Sequence, residues 1–171
     1  MKQITIGFSK STSKFAIFSW LILLTQKTPY SHVYLRYHDD YLNQNMIYQA
    51  SHTLVNYMSM PVFLGQEDVI KEFTFHISEE TFKAWMEFAA NNAGKPYGVL
   101  EIVGLAFVEL ASLFNVKITN PFKDAGQTWI CDQLVAAGLE TCNNIKLTMP
   151  LNDMRPQDVY QVVSKLPKNL N

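Results

Sequence analysis

The chain has few cysteines, few histidines and no excess of charge of one sign, and each scarcity excludes a class of protein. Its 171 residues contain two cysteines, four histidines and a formal net charge of −1. Two cysteines cannot build a disulfide scaffold, which favours a reducing, cytoplasmic location. The near-neutral charge, without a block of like charges, argues against nucleic-acid binding. Without a Walker-type loop or a dinucleotide-binding glycine motif, we expect no cofactor.

The chain also lacks an apolar run long enough to cross a membrane. Residues 15–24 form a ten-residue apolar run, against the roughly 20 residues that a bilayer requires. Because this run begins late for a signal peptide and is not followed by a small-residue cleavage site, we interpret it as a buried helix. Residues 98–116 are longer, but Glu101 and Glu109 interrupt them on one side of a helix. We expect a core helix with one solvent-facing stripe and no stable membrane insertion.

What the chain does have is enough apolar sequence for one domain spanning residues 1–171. Hydrophobic residues make up 48% of it, which is typical of a globular protein. Period-two alternation and β-branched or aromatic enrichment predict strands at residues 3–8, 31–37 and 69–77, and either two short strands or one bent strand at residues 46–57. The second of these places His32, Tyr34 and Arg36 on one face. A polar loop is expected at residues 9–13, and the strands together predict an antiparallel sheet of four to six strands.

The second half of the chain is predicted to be mainly helical. Ser78 is a suitable N-cap for an amphipathic helix that ends near Gly94, and a second helix is expected over residues 97–114. Thr128 can cap a third helix, and Pro156 opens a short fourth one over residues 157–165. Helices gathered around an antiparallel sheet give the α+β class.

Cys131 is the residue most indicative of chemistry. It is predicted near the N-terminus of the third helix, where unpaired backbone N–H groups and the helix dipole favour thiolate over thiol. Cys142 lies near the other end of the same helix, about 16 Å away at roughly 1.5 Å per residue. Because a disulfide needs Cα atoms within about 7 Å, the two cysteines cannot bridge. The sequence therefore predicts a free, nucleophilic Cys131.

A cysteine nucleophile needs a base within hydrogen-bond reach and a third group that orients the base. His32 is the best-placed base, since it begins a strand after a Pro-Tyr-Ser turn. His52 is a competitor, His38 is expected in a solvated loop, and His76 is compatible with an interior structural role. None of the four histidines has the spacing of a zinc site, so no metal is expected.

The orienting group is expected on the strand that follows His32. Gln49 shares a face there with Ile47 and Ser51, and its side-chain oxygen can accept a hydrogen bond from an imidazole N–H. A neutral amide fixes the tautomer of a histidine but adds no charge to stabilise the imidazolium. His52 is the alternative for this role.

Four short motifs in their order along the chain resemble a known family. They are Ser-His-Val (31–33), Ile-Tyr-Gln-Ala (47–50), Gly-Lys-Pro-Tyr (94–97) and Ile-Cys-Asp-Gln-Leu-Val (130–135). Their order resembles the circularly permuted branch of the NlpC-type papain-fold thiol hydrolases, in which the histidine precedes the cysteine. The resemblance covers residues 28–160. Two departures from the family pattern are Asp132-Gln133 in place of the usual Ser-Glu, and Gln49 where relatives often have Glu or His.

The resemblance implies a papain-like fold and a catalytic triad of Cys131, His32 and Gln49. It implies hydrolysis of an amide, in a peptide or a peptidoglycan-like substrate, or of an ester, through an acyl-enzyme. The expected oxyanion donors are the Cys131 backbone N–H and Tyr30. An acyltransferase or lipid hydrolase similar to lecithin retinol acyltransferase, and a catalytically silent binding module, are the alternatives. The oligomeric state is left open, and a phage-borne enzyme is compatible with the sequence.

Overall fold

A six-stranded sheet forms the centre of the protein. The structure, a computed structural model, describes residues 1–12, 28–51, 53–116, 118–119 and 128–170. The strands are β1 (Lys2–Ser11), β2 (His32–Asp39), β3 (Gln44–Ser51), β4 (Leu54–Ser59), β5 (Glu67–Ile77) and β6 (Asn169–Leu170). Their order across the sheet is β4-β3-β2-β1-β5-β6, and all pairs are antiparallel except β5 with β6. The predicted sheet is confirmed, with one short parallel pair added at its edge.

The described helices are α1 (Met60–Leu64), α2 (Glu79–Asn92), α3 (Val99–Leu113), α4 (Cys131–Asn143) and α5 (Pro156–Val163). The α+β class is therefore confirmed. Ser78 caps α2 as predicted, since its hydroxyl accepts a hydrogen bond from the Thr81 N–H at 3.0 Å. Sequence periodicity did not predict α1, because five residues are too few to display a helical repeat.

The main core lies on one face of the sheet. Val33 and Leu35 of β2 point to this face and pack with Leu134 and Val135 of α4. The residues between them in β2 point to the opposite face, where Tyr34 packs with Ile47 and with Phe63 of α1. This alternation follows from the period of two in a strand. It sets α4 against β2 and β3 on the core face.

Strand β1 is longer than predicted. The expected polar loop at residues 9–13 is wrong for Ser9 to Ser11, which continue the strand. Both ends of this segment pair with β5, as Ser9↔Val69 and Ser11↔Glu67, after a register shift between Phe8 and Ser9. Cross-strand hydrogen bonds thus stabilise polar residues that, by composition alone, are typical of a loop.

Helix α4 begins later than predicted. Its first residue is Cys131 and its N-cap is Ile130, which has no side-chain capping bond, so the expected cap at Thr128 is wrong. Trp129 is held extended, because its N–H donates to the Pro96 carbonyl at 3.1 Å and its own carbonyl accepts from the Gly98 N–H at 3.0 Å. A helix cannot begin within this paired segment. Cys131 consequently occupies the very first helical position.

The apolar run at residues 15–24 lies outside the described residues. Among the helices that the structure does describe, none is both long and apolar enough to cross a membrane. Glu101, in α3, is 3% exposed. The expectation that Glu101 belongs to a solvent-facing stripe is therefore wrong.

Helix α4 is fixed laterally by close packing against α2. Trp85 of α2 is fully buried, and its indole N–H donates to the Asn143 side-chain oxygen at 2.8 Å. Its ring lies over Gly138, where an added Cβ would stand only 2.2 Å from the Trp85 Cζ3 atom. The absence of a side chain at residue 138 thus permits the approach of the two helices.

Replacing Gly138 with alanine is expected to destabilise the protein. Alanine is favoured over glycine in a helix by about 1 kcal/mol, but forcing a methyl group into this contact should cost about 1–3 kcal/mol. Urea denaturation should show a lower unfolding free energy for Gly138→Ala. Thr141→Ala, at an exposed position of the same helix, is the control and should be nearly neutral. A stabilised Gly138→Ala would contradict the packing described.

Candidate active site

Strands β2 and β3 separate at the end of the sheet that carries His32 and Gln49. Their ladder runs from Asp39↔Gln44 to Leu35↔Tyr48 and, within these two described strands, goes no further. Beyond that point β2 continues to pair with β1, through Ser9↔His32, while β3 continues to pair with β4, through Gln49↔Asn56. The separation opens a space between two strands that are each held from the other side.

The side chains of His32 and Gln49 meet across this space. The His32 Nε2 atom lies 2.7 Å from the Gln49 Oε1 atom, and both residues are buried. The Gln49 amide nitrogen is directed to the Asn56 Oδ1 atom at 3.4 Å and to the Met58 sulfur at 3.5 Å. The Gln49 oxygen therefore faces the imidazole.

The hydrogen bond to Gln49 fixes the tautomer of His32. An amide oxygen only accepts, so the His32 Nε2 atom must carry a proton and donate it. In the neutral imidazole, the Nδ1 atom then has the lone pair. The predicted partnership of these two residues yields a base whose basic nitrogen is Nδ1.

Cys131 reaches the same end of the sheet from α4. Its sulfur accepts a hydrogen bond from the Val33 backbone N–H, in addition to contacts with its own N–H and the Asp132 N–H. Val33 follows His32 directly, so the sulfur lies against the peptide that joins these two residues. If the β2–β3 register continued, Val33 would lie opposite Ala50. The sulfur of Cys131 instead occupies the place where the two strands part.

The electrostatics of the Cys131 thiol differ from the sequence-based expectation. Burial raises its pKa above the ordinary value, and the Asp132 charge raises it further, while the N–H groups of Val33, Asp132 and Cys131 lower it. The helix-terminal donors are present as predicted. The predicted preference for thiolate is nevertheless wrong for the resting site, because the thiol is 3% exposed and removal from water outweighs the donors.

Asp132 is an unusual buried carboxyl group beside the nucleophile. Burial raises its pKa to about 7, the Asp158 and Glu101 charges add to the increase, and the N–H groups of Gln133 and Asp132 oppose it. Its Oδ1 atom accepts from the Gln133 N–H at 2.8 Å. Near neutral pH this carboxyl group changes between a neutral and a charged form next to the sulfur.

Tyr97 is a site residue that was not assigned a role from the sequence. The segment that carries it lies between β4 and the start of α4: the Tyr97 N–H donates to the Thr53 carbonyl at 2.9 Å, and Tyr97 forms a bridge with Trp129. Burial raises the pKa of Tyr97 well above its ordinary value, followed by the charges of Cys131, Asp132 and Glu67. Its phenol therefore keeps its proton at neutral pH. The Gly-Lys-Pro-Tyr motif was the sequence signal for it.

The other sequence candidates lie elsewhere or outside the described residues. The Tyr30 hydroxyl donates to the Gln157 side-chain oxygen, and its ring packs with Phe8 and Tyr160. The Tyr30 hydroxyl proton is therefore used in a hydrogen bond within the core. His38 is exposed as predicted, but it lies in β2, where it pairs with Asn45, and the expected loop there is wrong. His76 lies at the opposite end of β5 from Glu67, where it pairs with Asn169. His52 lies outside the described residues.

The arrangement is suited to nucleophilic chemistry. It combines a buried thiol at a helix start, an imidazole with a fixed tautomer and a protonated phenol. Over the described ranges, no group of three or more His, Cys, Asp or Glu residues is placed to hold a metal ion. Comparison with known protein families and with curated protein sequences gives no match to this chain.

Asp132 should make the stability of the protein depend on pH. A carboxyl group whose pKa rises to about 7 on folding favours the folded state below its unfolded value near 4, and this contribution is lost as the pH rises through 7. Between pH 4 and pH 8 the wild type should lose on the order of 4 kcal/mol relative to Asp132→Asn. Urea denaturation across this range measures it. Asp68→Asn, at an exposed position, is the control, and parallel curves for the wild type and Asp132→Asn would refute the assignment.

The Gln49 oxygen should determine the His32 tautomer. Gln49→Leu leaves a buried imidazole N–H without this acceptor, which should lower the unfolding free energy by about 1–3 kcal/mol. Imidazole ¹⁵N NMR should show the Nε2-protonated tautomer for neutral His32 in the wild type and a mixture in Gln49→Leu. Gln49→Glu retains an acceptor oxygen and should retain the tautomer. An Nδ1-protonated His32 in the wild type would exclude the proposed orientation.

Proposed function

We propose that this protein is a thiol hydrolase with a permuted papain-like fold. Cys131 is the nucleophile, His32 the base and Gln49 the residue that orients the base. One observation carries the proposal: the Cys131 sulfur accepts from the N–H of Val33, the residue directly after a buried His32 whose Nε2 atom is bound to Gln49 at 2.7 Å. A nucleophile, a base and an orienting group in this order are the requirement for activating a cysteine.

The first chemical step is acylation of Cys131. The Nδ1 atom of His32 takes the thiol proton while the sulfur attacks the substrate carbonyl carbon and forms a C–S bond. Because burial raises the thiol pKa, the sulfur depends on this proton acceptor at neutral pH. The carbonyl electron pair moves to the oxygen, which becomes an oxyanion.

Two donors are available to this oxyanion. One is the Cys131 backbone N–H at the start of α4, and the other is the Tyr97 hydroxyl, which replaces Tyr30 in this role. Tyr97 suits it because its phenol stays protonated and its backbone bridges Trp129, two residues before Cys131. A fixed donor in a buried site stabilises developing negative charge without reorganisation.

The remaining steps release both products. The His32 imidazolium gives its proton to the leaving nitrogen or oxygen, and the scissile bond breaks. Water then attacks the thioester with His32 as base, which frees a carboxylic acid and restores the thiol. The net reaction is hydrolysis of an amide or an ester.

The substrate class we propose is a peptide or peptidoglycan-like amide, with an ester as the alternative bond. The mechanism requires neither a cofactor nor a metal. It requires a reduced Cys131, and both cysteines are unbridged. This chemistry suits a reducing compartment such as the cytoplasm.

A lipid-directed acyltransferase or hydrolase is the second candidate. The observation that favours it is the exposure of large apolar side chains in and after α3, which begins two residues after Tyr97: Phe107 is 54% exposed, Phe114 74% and Val116 51%. A surface of exposed apolar side chains fits an acyl chain. In this case the Cys131 thioester passes its acyl group to a lipid or amine acceptor in place of water.

Acylation by p-nitrophenyl acetate tests the proposed nucleophile and base together. Mass spectrometry should locate an acetyl group on Cys131, and stopped-flow release of nitrophenolate should be at least about tenfold slower in His32→Gln, because proton transfer contributes about 10²-fold or more. Loss of the adduct with time in water supports hydrolysis. Loss only after addition of an amine or lipid acceptor supports the transferase.

Two variants serve as controls for this experiment. His38→Gln removes an exposed histidine and should leave acylation unchanged, and Cys142→Ser should leave the Cys131 adduct in place. Unchanged nitrophenolate release in Cys131→Ala would refute the proposal. A wild type that never acylates Cys131, while folded, would identify a catalytically silent binding module.

A further inference from the structure

A second polar side chain approaches His32 from the side opposite Gln49. Ser9 of β1 is the direct cross-strand partner of His32, and its hydroxyl donates to the Glu67 Oε2 atom at 2.8 Å. Directly opposed residues in antiparallel strands share a face, and their Cβ atoms are about 5 Å apart. Ser9, which is fully buried, therefore lies on the strand between the Glu67 carboxylate of β5 and His32 of β2.

A register shift aims Glu67 at this face. Phe8 pairs with Lys71, so a regular ladder would set Ser9 opposite Ile70 and Ser11 opposite Asp68. The observed pairs are Ser9↔Val69 and Ser11↔Glu67. Because side chains alternate along a strand, a shift of one residue exchanges the two faces. The irregularity thus places Glu67 on the His32 face and Asp68 on the other one, as β-bulges near functional sites commonly do.

The charge of Glu67 reaches residues on both sides of the site. Tyr97 owes its raised pKa first to burial and then to the charges of Cys131, Asp132 and Glu67. The Tyr34 ring centroid lies 6.5 Å from that of His32, and burial, Glu72 and, to a smaller extent, Glu67 raise the pKa of Tyr34. Glu67 thus contributes to the charge environment of Tyr34, whose ring lies beside that of His32.

We propose that Glu67 is a positioning residue that, held by Ser9, supplies the His32 imidazolium with the negative charge that the neutral amide of Gln49 lacks. The inference rests on the proposed function, in which this imidazolium forms during acylation. An opposite charge near a histidine favours its protonated form. Charged or titratable side chains on the His32 face of the sheet are Tyr34 and Arg36 of β2 and Glu67 and Glu72 of β5, and Cys131 and Asp132 lie at the start of α4.

This arrangement divides the roles usually assigned to one third residue. Gln49 of β3 fixes the tautomer of His32 through its hydrogen bond at 2.7 Å. Glu67 of β5 provides the charge from the other side of β2. The Asp132 charge raises the pKa of the Cys131 thiol and so disfavours the thiolate. A negative charge that favours the His32 imidazolium offsets this effect. Glu67 is only partly buried, which lets it remain a carboxylate without a large cost of removal from water.

NMR titration of His32 tests the inference without any substrate. In Glu67→Gln the measured His32 pKa should fall by about 0.5 or more relative to wild type. Glu67→Asp keeps the charge and should restore most of that value. Asp68→Asn makes the same charge change one residue away but on the opposite face, and should leave the His32 pKa nearly unchanged. Ser9→Ala, which removes the donor that holds the carboxylate, should shift it in the same direction as Glu67→Gln.

Two results would overturn the inference: an unchanged His32 pKa in Glu67→Gln, or an equal fall in Asp68→Asn, which would show a general charge effect. The pH dependence of iodoacetamide labelling of Cys131, in a Cys142→Ser background, provides an independent measurement. In Glu67→Gln the rise of the labelling rate with pH, which follows deprotonation of the His32 base, should move to lower pH together with the His32 pKa. A His32 pKa that responds to Glu67 while Cys131 is never acylated would remove the proposed hydrolase but retain the Glu67–His32 coupling.

Discussion

The rest of the site depends on the parting of β2 and β3. Each strand is held by its outer neighbour, β1 or β4, and the Cys131 sulfur accepts from the Val33 N–H where the ladder stops. This contact aligns the first turn of α4 with His32. Trp129, paired with the segment at residues 96–98, prevents the helix from starting earlier. Trp85, packed on Gly138, holds the helix against α2. These contacts fix the position of Cys131 at the start of α4, and pairing with β1 fixes that of His32 on β2.

Burial gives the site its chemical character. It raises the thiol pKa of Cys131 and brings that of Asp132 to about 7, although the helix-terminal N–H groups act in the opposite direction. A thiol of this kind is inert until a base receives its proton. His32 can do so because Gln49 holds its Nε2–H and presents its Nδ1 lone pair. In the proposed mechanism, Cys131 and His32 are both neutral at rest and become charged only as the substrate is attacked.

The sequence predicted the local geometry better than its energetic consequences. Period-two alternation grouped His32 with Tyr34 on one face of β2 and Gln49 with Ile47 on one face of β3, since side-chain direction in a strand is a local property. Ser78 was correctly predicted as the cap of α2 because capping, too, depends only on residues close in sequence. The late start of α4, the low thiolate preference of Cys131 and the burial of Glu101 depend on tertiary contacts that periodicity does not encode. The positions of Tyr97 and Glu67 depend on a non-local bridge and on a register shift in β1–β5 pairing. His52, the alternative third residue, lies outside the described residues.

The central claim is that Cys131 and His32 act as one acid–base pair. The most direct measurement is the distance between the Cys131 sulfur and the His32 Nδ1 atom in a crystal structure of the wild-type protein. The account predicts a separation of about 4 Å or less, with the Nε2 atom bound to the Gln49 oxygen. A sulfur more than about 6 Å from both ring nitrogens, with His32 turned away from α4, would contradict it.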